Sequence, residues 1–435
     1  MKQKRYVLFA LVVCAISQIH AQNELSISEA IQVGLKNNYD LTITANNQKI
    51  AKINNTWANT SLMPTLTLDL GLQDTKNFND TENHNAIQLT PQVNLTWTLF
   101  DGFGAQIDKR RYEELEAQSA GNTQLLIENT IQDVILAYYN VLLQREEATS
   151  YKVMSDLSKD LMDREKVSQD IGATTTYAYL LSKTSYLQYY SGYLQKRVDY
   201  ENAMRSLNYI LAIKDNKMWE LTTPLVADDT EFSLDELVQD MQSNNQTLKN
   251  QYIQQRIMAL NTRSANSDYY PTLKVNGGAR YNKLNQTFSG SSASINTHST
   301  DVYAGLTLSW SIFSGGSRQR AVAIAKINEA SSQIETVQMK HALNNQLLQY
   351  LSTYNVNREI LTLTQEQVNT AKLNLEMSKD KYKSGAINSF DYRDVQISYL
   401  DAVTSHCEAI YQLIESNANL LQITGNIISY KQAQK

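Results

Sequence analysis

Two aspartates, Asp391 and Asp394, stand three residues apart in GAINSFDYRD (Gly385 to Asp394) of a 435-residue chain. Carboxylates at that spacing share one face of a helix. Taken alone, such a pair is an ordinary solvated face, and copies of it gathered around an axis would attract cations. Other chemistry-bearing residues do not converge. His84, His298, His341 and His406 are scattered, and none has a metal-ligand spacing to cysteine or carboxylate. DGFG (Asp101 to Gly104) has a G-x-G without the third glycine or the βαβ setting of a nucleotide site. A nucleophile elbow and a Walker-type lysine are both missing. The expectation is no enzyme and no cofactor. Another kind of signal is written twice: NLTWTLFDGFG (Asn94 to Gly104) and TLSWSIFSGGS (Thr307 to Ser317) both carry Trp-x-x-Phe-x-Gly. Trp97 and Trp310, apolar rings with one polar N–H, suit a membrane interface.

Composition narrows what can position these residues. Only 4 Pro and 15 Gly leave room for very long helices. A net charge of −5 gives no basic footprint, so nucleic acid is not an expected partner. Mean hydropathy is −0.41, and beyond the N-terminus no run of about 20 apolar residues suits a membrane helix. Residues 1–21 read as a signal peptide: Lys2, Lys4 and Arg5, then the apolar Tyr6 to Ile16, then a cleavage site after Ala21. LVVC (Leu11 to Cys14) is a second, lipoprotein-like reading, with Val13 where a small residue is wanted. Cleavage after Ala21 leaves Cys407 as a lone cysteine without an intrachain disulfide, read as a small buried hydrophobe.

The chain repeats itself. LSISEAIQVGLKNNYDL (Leu25 to Leu41) lies over FSLDELVQDMQSNNQTL (Phe232 to Leu248), and Pro64 over Pro271. Trp97, Phe100 and Gly102 then meet Trp310, Phe313 and Gly315, and IGATTTY (Ile171 to Tyr177) meets SGAINSF (Ser384 to Phe390). Two structural repeats follow, 22–220 and 232–428, joined by a linker at 221–231 and ending in a tail at 429–435.

Periodicity changes in the same order within each repeat. Leu66, Leu68, Leu70 and Leu72 alternate with polar or small residues, as do Ile87, Leu89, Val93, Leu95, Trp97 and Leu99. Leu273, Val275, Ala279 and Tyr281, then Val302 to Ile312, repeat the pattern. These predict β-hairpins over 64–100 and 271–313, with polar loops at 75–85 and 283–300. Pro91, in mid-pattern, predicts a bulge or lip. After each Trp-x-x-Phe-x-Gly the period turns helical, uninterrupted by proline as far as Gly172 and Gly385. A helix of about 65 residues would be close to 100 Å long, and Gly172 and Gly385 read as the turns of antiparallel helical hairpins. On the returning helix Leu180, Leu187 and Leu194, with Tyr179, Tyr186, Tyr193 and Tyr200, recur at seven and read as packing positions.

Strands with one apolar and one polar face fit an outer-membrane barrel, yet one chain supplies four, and spanning barrels begin at about eight. The chain must therefore oligomerise, as a dimer of eight strands or a trimer of twelve. The signal peptide, duplicated unit, PTL openings, Trp-x-x-Phe-x-Gly and glycine tips resemble the TolC-type outer-membrane factors over essentially the whole mature chain. The resemblance implies a mixed α and β membrane protein: a homotrimer whose twelve-stranded barrel in the outer-membrane lipid continues into a periplasmic α-helical barrel. It implies passive export from the periplasm of a Gram-negative bacterium, fed by an inner-membrane pump of RND or ABC type through a periplasmic adaptor.

Residue roles follow from that resemblance. Asp391 and Asp394 match the aspartates of the periplasmic constriction. Gly172, Ala173, Gly385 and Ala386 mark the tips that contact the adaptor, although an ordinary αα-hairpin turn looks the same. Trp97 and Trp310 form the membrane-interface belt. Ile387 and Ala178 depart from the family pattern, because they stand where it often has a basic latch residue and an aspartate; Arg393 is a candidate substitute. A trimeric adhesin with a coiled-coil stalk is the alternative reading. Adhesins of that kind hold four strands together at the C-terminus, whereas here they come as two pairs flanked by helices. A soluble coiled-coil adaptor is a third reading, opposed by the periodic apolar strand face.

Overall fold

The computed structural model describes residues 24–77, 84–214, 217–288 and 294–429. Residues 1–21, read from sequence as a signal peptide, lie outside the described residues together with Cys14, as does all of the tail but Ser429. The elements are β1 (Glu24–Leu25), α1 (Ile27–Asn37), α2 (Tyr39–Asn54), β2 (Thr65–Asn77), β3 (His84–Asp101), α3 (Gly104–Asp170) and α4 (Thr176–Ile210). They recur as β4 (Glu220–Leu221), α5 (Leu234–Asn244), α6 (Gln246–Ser267), β5 (Thr272–Phe288), β6 (Ser294–Ser309), α7 (Ser317–Lys383) and α8 (Ser389–Ile423). The duplication holds in length: α3 and α7 have 67 residues each, and α4 and α8 have 35 each.

Two compact units share these elements. The first holds the chain up to Ala45, Asn122–Lys249 and Met339 onward. Its core joins Ile27, Ala30 and Ile31 of α1 to Ile131, Val134, Tyr138 and Leu142 of α3 and to Met204 and Leu207 of α4. Ser26 caps α1, with Glu29 reaching back to the Ser26 backbone N–H in a capping box. A Cβ on Gly34 would come 2.9 Å from Val134, so glycine permits this close packing of α1 on α3. Buried Tyr138 donates to the Leu25 carbonyl (2.8 Å) and accepts from the Thr223 N–H, while β1 and β4 pair in parallel. The linker residues beyond β4 are held to α7: Tyr354 donates to the Thr230 carbonyl, and Arg358 pairs with Asp229 and Glu231.

α4 departs from the sequence reading. Ala178, Ser182, Ser185 and Tyr189 are its buried positions in this stretch, whereas Leu180 and Leu187 are exposed. Small residues let α4 approach its own chain closely, which leaves the leucines facing away. The tyrosine heptad lies between the two faces, with Lys152 and Lys166 of α3 over the rings of Tyr193 and Tyr179.

The second unit holds Asn46–Gly121 and Asn250–Gln338. It contains a four-stranded antiparallel sheet in the order β2-β3-β5-β6. Much of what reads as polar loop is strand: β2 runs to Asn77, β3 starts at His84, β5 runs to Phe288 and β6 starts at Ser294. Ladder hydrogen bonding between strands carries these polar residues past the end of the apolar pattern. Pro91 is no bulge. It pairs with Leu70, and the β3–β5 register resumes unshifted from Leu89↔Lys283 to Gln92↔Arg280. The proline lacks only an N–H, which interrupts the ladder without displacing it. The irregularity sits between Thr98 and Phe100 instead.

Candidate functional site

The burial pattern of β3 is inverted relative to a strand of a soluble protein. On β3, Ile87, Leu89, Val93, Leu95, Trp97 and Leu99 are exposed, while Gln88, Thr90, Gln92, Asn94, Thr96 and Thr98 are half-buried. Leu66, Leu68, Leu70 and Leu72 on β2, with Val302, Leu306 and Leu308 on β6, extend the exposed apolar surface. Hydrocarbon is the environment in which such a face is stable. The polar face is internally bonded: Tyr303 donates to Asn94 (2.7 Å), which donates to Asp69 (2.7 Å), and Gln88 donates to Asn282 (2.9 Å). One register row, Asp69↔Gln92↔Arg280↔Asp301, crosses all four strands. Gly278 makes the tyrosine relay possible, because its Cβ would lie 2.3 Å from the Val93 carbonyl and 2.9 Å from the Tyr303 hydroxyl.

Both tryptophans are pinned alike. Trp97 lies within β3 and donates to the Leu62 carbonyl (2.8 Å); Trp310, one residue past β6, donates to the Tyr269 carbonyl (3.1 Å). Each acceptor stands two residues before the repeated proline. The indole thus satisfies its polar atom on the chain while its ring stays exposed. The Phe-x-Gly bend is left-handed backbone, with φ of 72° at Gly102 and 61° at Gly315. Asp101 then caps α3 by accepting from the Ala105 N–H (2.8 Å). Phe103 bears φ of 70° where the second repeat has Gly316, and packs edge-on against Phe100 and Tyr270.

At the other candidate site, α3 and α7 end in Schellman turns. Ala173 N–H reaches the Ser168 carbonyl and Gly172 N–H the Gln169 carbonyl; Ala386 and Gly385 repeat this onto Lys381 and Tyr382. Gly172 and Gly385 have φ of 74° and 73°. Thr175 and Asn388 cap the returning helices. The two tips meet through repeat-equivalent rings, Tyr177 stacked on Phe390 at 5.8 Å. Asp391 and Asp394 are both exposed, and Asp394 accepts from Arg393 (3.4 Å), whose Nε is buried without a partner among the described residues. Ile387 and buried Ala178 form no polar link. A link that the sequence reading missed lies nearby: Tyr382 of α7 donates to buried Glu165 of α3 (2.8 Å) and stacks on Tyr392. Burial, with the Glu165 carboxylate beside it, pushes the Tyr382 phenol well above the ordinary tyrosine range. No residue pattern announces this bond, since its partners come from different repeats and non-equivalent positions.

No helix among the described residues is long and apolar enough to cross a membrane, and no three described His, Cys, Asp or Glu residues group to hold a metal ion. Strand hairpins and long helical hairpins each occur in duplicate in this chain. Residues 237–426 match the outer membrane efflux protein family. The Campylobacter jejuni CmeC outer membrane channel is similar over 92% of this chain and 85% of its own, with a TM-score of 0.75 at 16% identity. VceC of Vibrio cholerae covers 92% and 96% (TM-score 0.72, 11% identity), and open-state MtrE of Neisseria gonorrhoeae 92% and 88% (0.72, 13%). At these identities the likeness is one of fold. No curated protein matches by sequence. The resemblance to TolC-type outer-membrane factors thus stands in the sequence pattern of the second repeat and in the fold of nearly the whole chain.

Proposed function

We propose that the chain is the subunit of a passive outer-membrane exit duct serving efflux or type I secretion. The observation that carries this reading is the four-stranded sheet with its exposed apolar residues, whose outer strands β2 and β6 each have one unpaired edge among the described residues. Unpaired backbone in hydrocarbon costs several kcal/mol per group, so the sheet must close with copies of itself. Three copies give twelve strands, with the apolar faces toward lipid and the Asp69–Asp301 rows toward water. The outward leucines of α4 support subunit packing of the long helices into a periplasmic barrel. Asp391 and Asp394, repeated three times, form a cation-attracting constriction at the periplasmic end. The paired tips around Gly172, Ala173, Gly385 and Ala386, with Tyr177 and Phe390, are the contact for a periplasmic adaptor, which couples the duct to an inner-membrane pump. The energy for transport comes from that pump, and this chain acts without enzyme chemistry or cofactor.

Cell fractionation followed by native mass spectrometry of the detergent-extracted protein tests the assembly. The expected result is an outer-membrane protein with the mass of three chains. A monomer in the soluble periplasmic fraction would overturn the proposal.

A further inference from the structure

We infer that the free edge of β6 pairs with the free edge of β2 of a second copy in a register already recorded, within one chain, at the β3–β5 junction. The inference rests on the proposed oligomeric duct and specifies its subunit interface residue by residue. β6 is the repeat counterpart of β3, and β2 is the counterpart of β5. The correspondence is geometric as well as sequential, because Trp97 and Trp310 donate to counterpart carbonyls at Leu62 and Tyr269. Transferring the observed pairs Val93↔Ala279, Leu95↔Gly277, Trp97↔Val275 and Phe100↔Leu273 places Leu306 opposite Leu72 of the partner subunit. Leu308 then faces Leu70 of the partner subunit, Trp310 faces Leu68 of the partner subunit, and Phe313 faces Leu66 of the partner subunit.

Two asymmetries between the repeats argue for this occupant. Residues 97–100 belong to a strand paired with β5, whereas their counterparts 310–313 lie beyond the end of β6. Ile312 and Phe313 are 84% and 86% exposed, against 41% for Leu99, the counterpart of Ile312. The segment has strand sequence and lacks the neighbour that its counterpart has. The second asymmetry is Gly71, the counterpart of Gly278. Gly278 is required because the Val93 carbonyl approaches it closely; around Gly71 the nearest atom to an added Cβ is the Thr90 carbonyl at an ordinary 3.6 Å. In the transferred register the carbonyl of Leu306 from a second copy, the counterpart of Val93, fills the close position at Gly71. A glycine unexplained inside one chain is explained between two.

Disulfide trapping tests the register. Leu70→Cys/Leu308→Cys, Leu68→Cys/Leu308→Cys and Leu72→Cys/Leu308→Cys are made in a Cys407→Ala background, and native mass is measured before oxidation. Diamide then takes two electrons and two protons from each facing thiol pair. The row through Leu70 reaches β6 at Thr300, so positions 70 and 308 of one chain are separated by three strand spacings and by eight residues along the strand, roughly 30 Å in all and beyond the reach of an intrachain disulfide. Covalent dimers and trimers on denaturing gels from the 70/308 pair, roughly tenfold more than from either offset pair, are expected given the narrow Cα separation a disulfide tolerates. Preferential trapping of 68/308 or 72/308, or an intact oligomer that none of the pairs traps, overturns the register and leaves the duct standing. A wild-type chain that is monomeric by native mass overturns both.

Discussion

Tyr382 ties α7 to α3 through Glu165, whose second oxygen, Oε2, is buried without a partner among the described residues. Tyr382→Phe would strip the first oxygen as well. The expected cost is about 1–3 kcal/mol for an unsatisfied buried acceptor, read by denaturant unfolding in detergent. More frequent openings in bilayer recordings should accompany it if this bond restrains the tips; unchanged stability and gating would show that it is incidental. His406 offers a pH test at the same scale. Burial lowers its pKa, and its Nδ1 lies 3.2 Å from the Thr364 hydroxyl. The folded state then binds its proton less readily than the unfolded state. This contribution is stable above the ordinary histidine value of about 6.5 and falls as pH drops below it. Substituting His406→Gln should flatten that part of the stability–pH curve. Legibility at this scale was uneven. Asp391 and Asp394 are singled out only by the family resemblance, since alone they read as a solvated helix face, whereas Glu165 and Tyr382 belong to different repeats and form no local pattern.

Elements were more visible in the sequence because each follows from a period. The switch from alternation to helical spacing marked the strands and the two 67-residue helices. The sequence reading ended the strands where the apolar alternation stops, at 75 and 283, but the backbone ladder continues through polar residues to Asn77 and Phe288. Pro91 misled for a similar reason: an absent N–H interrupts a ladder on one side and need not shift register. Glycines inside the sheet were silent because their need is set by neighbouring strands. Gly278→Ala should be severe, since its Cβ would lie 2.3 Å from the Val93 carbonyl. Loss of the oligomeric mass in native mass spectrometry is the expected readout. Gly172→Ala should be milder. Nothing lies within 4 Å of an added Cβ there, so the cost is confined to the left-handed backbone, on the order of 1 kcal/mol by thermal unfolding. Equal defects in the two variants would contradict this distinction.

The whole molecule is a duplication that one chain cannot complete. Among the described residues its sheet has two free edges, the apolar residues of β2, β3 and β6 are exposed, and so are Leu180 and Leu187 of α4. The sequence could show that four strands are too few, because that is arithmetic against the minimum size of a spanning barrel. It could not show which faces remain uncovered, since burial depends on how α4 meets its own chain. The proposed association into a closed conduit would cover all of these surfaces and would gather the exposed Asp391 and Asp394 around its axis. Single-channel recording of the detergent-purified protein in planar bilayers tests that account most directly, with wild type compared against Asp391→Asn/Asp394→Asn. The account predicts discrete, cation-preferring openings whose selectivity and multivalent-cation block weaken in the double variant. A well-folded, membrane-extracted trimer that conducts in neither form, even with Tyr382→Phe added to release the tips, would contradict it.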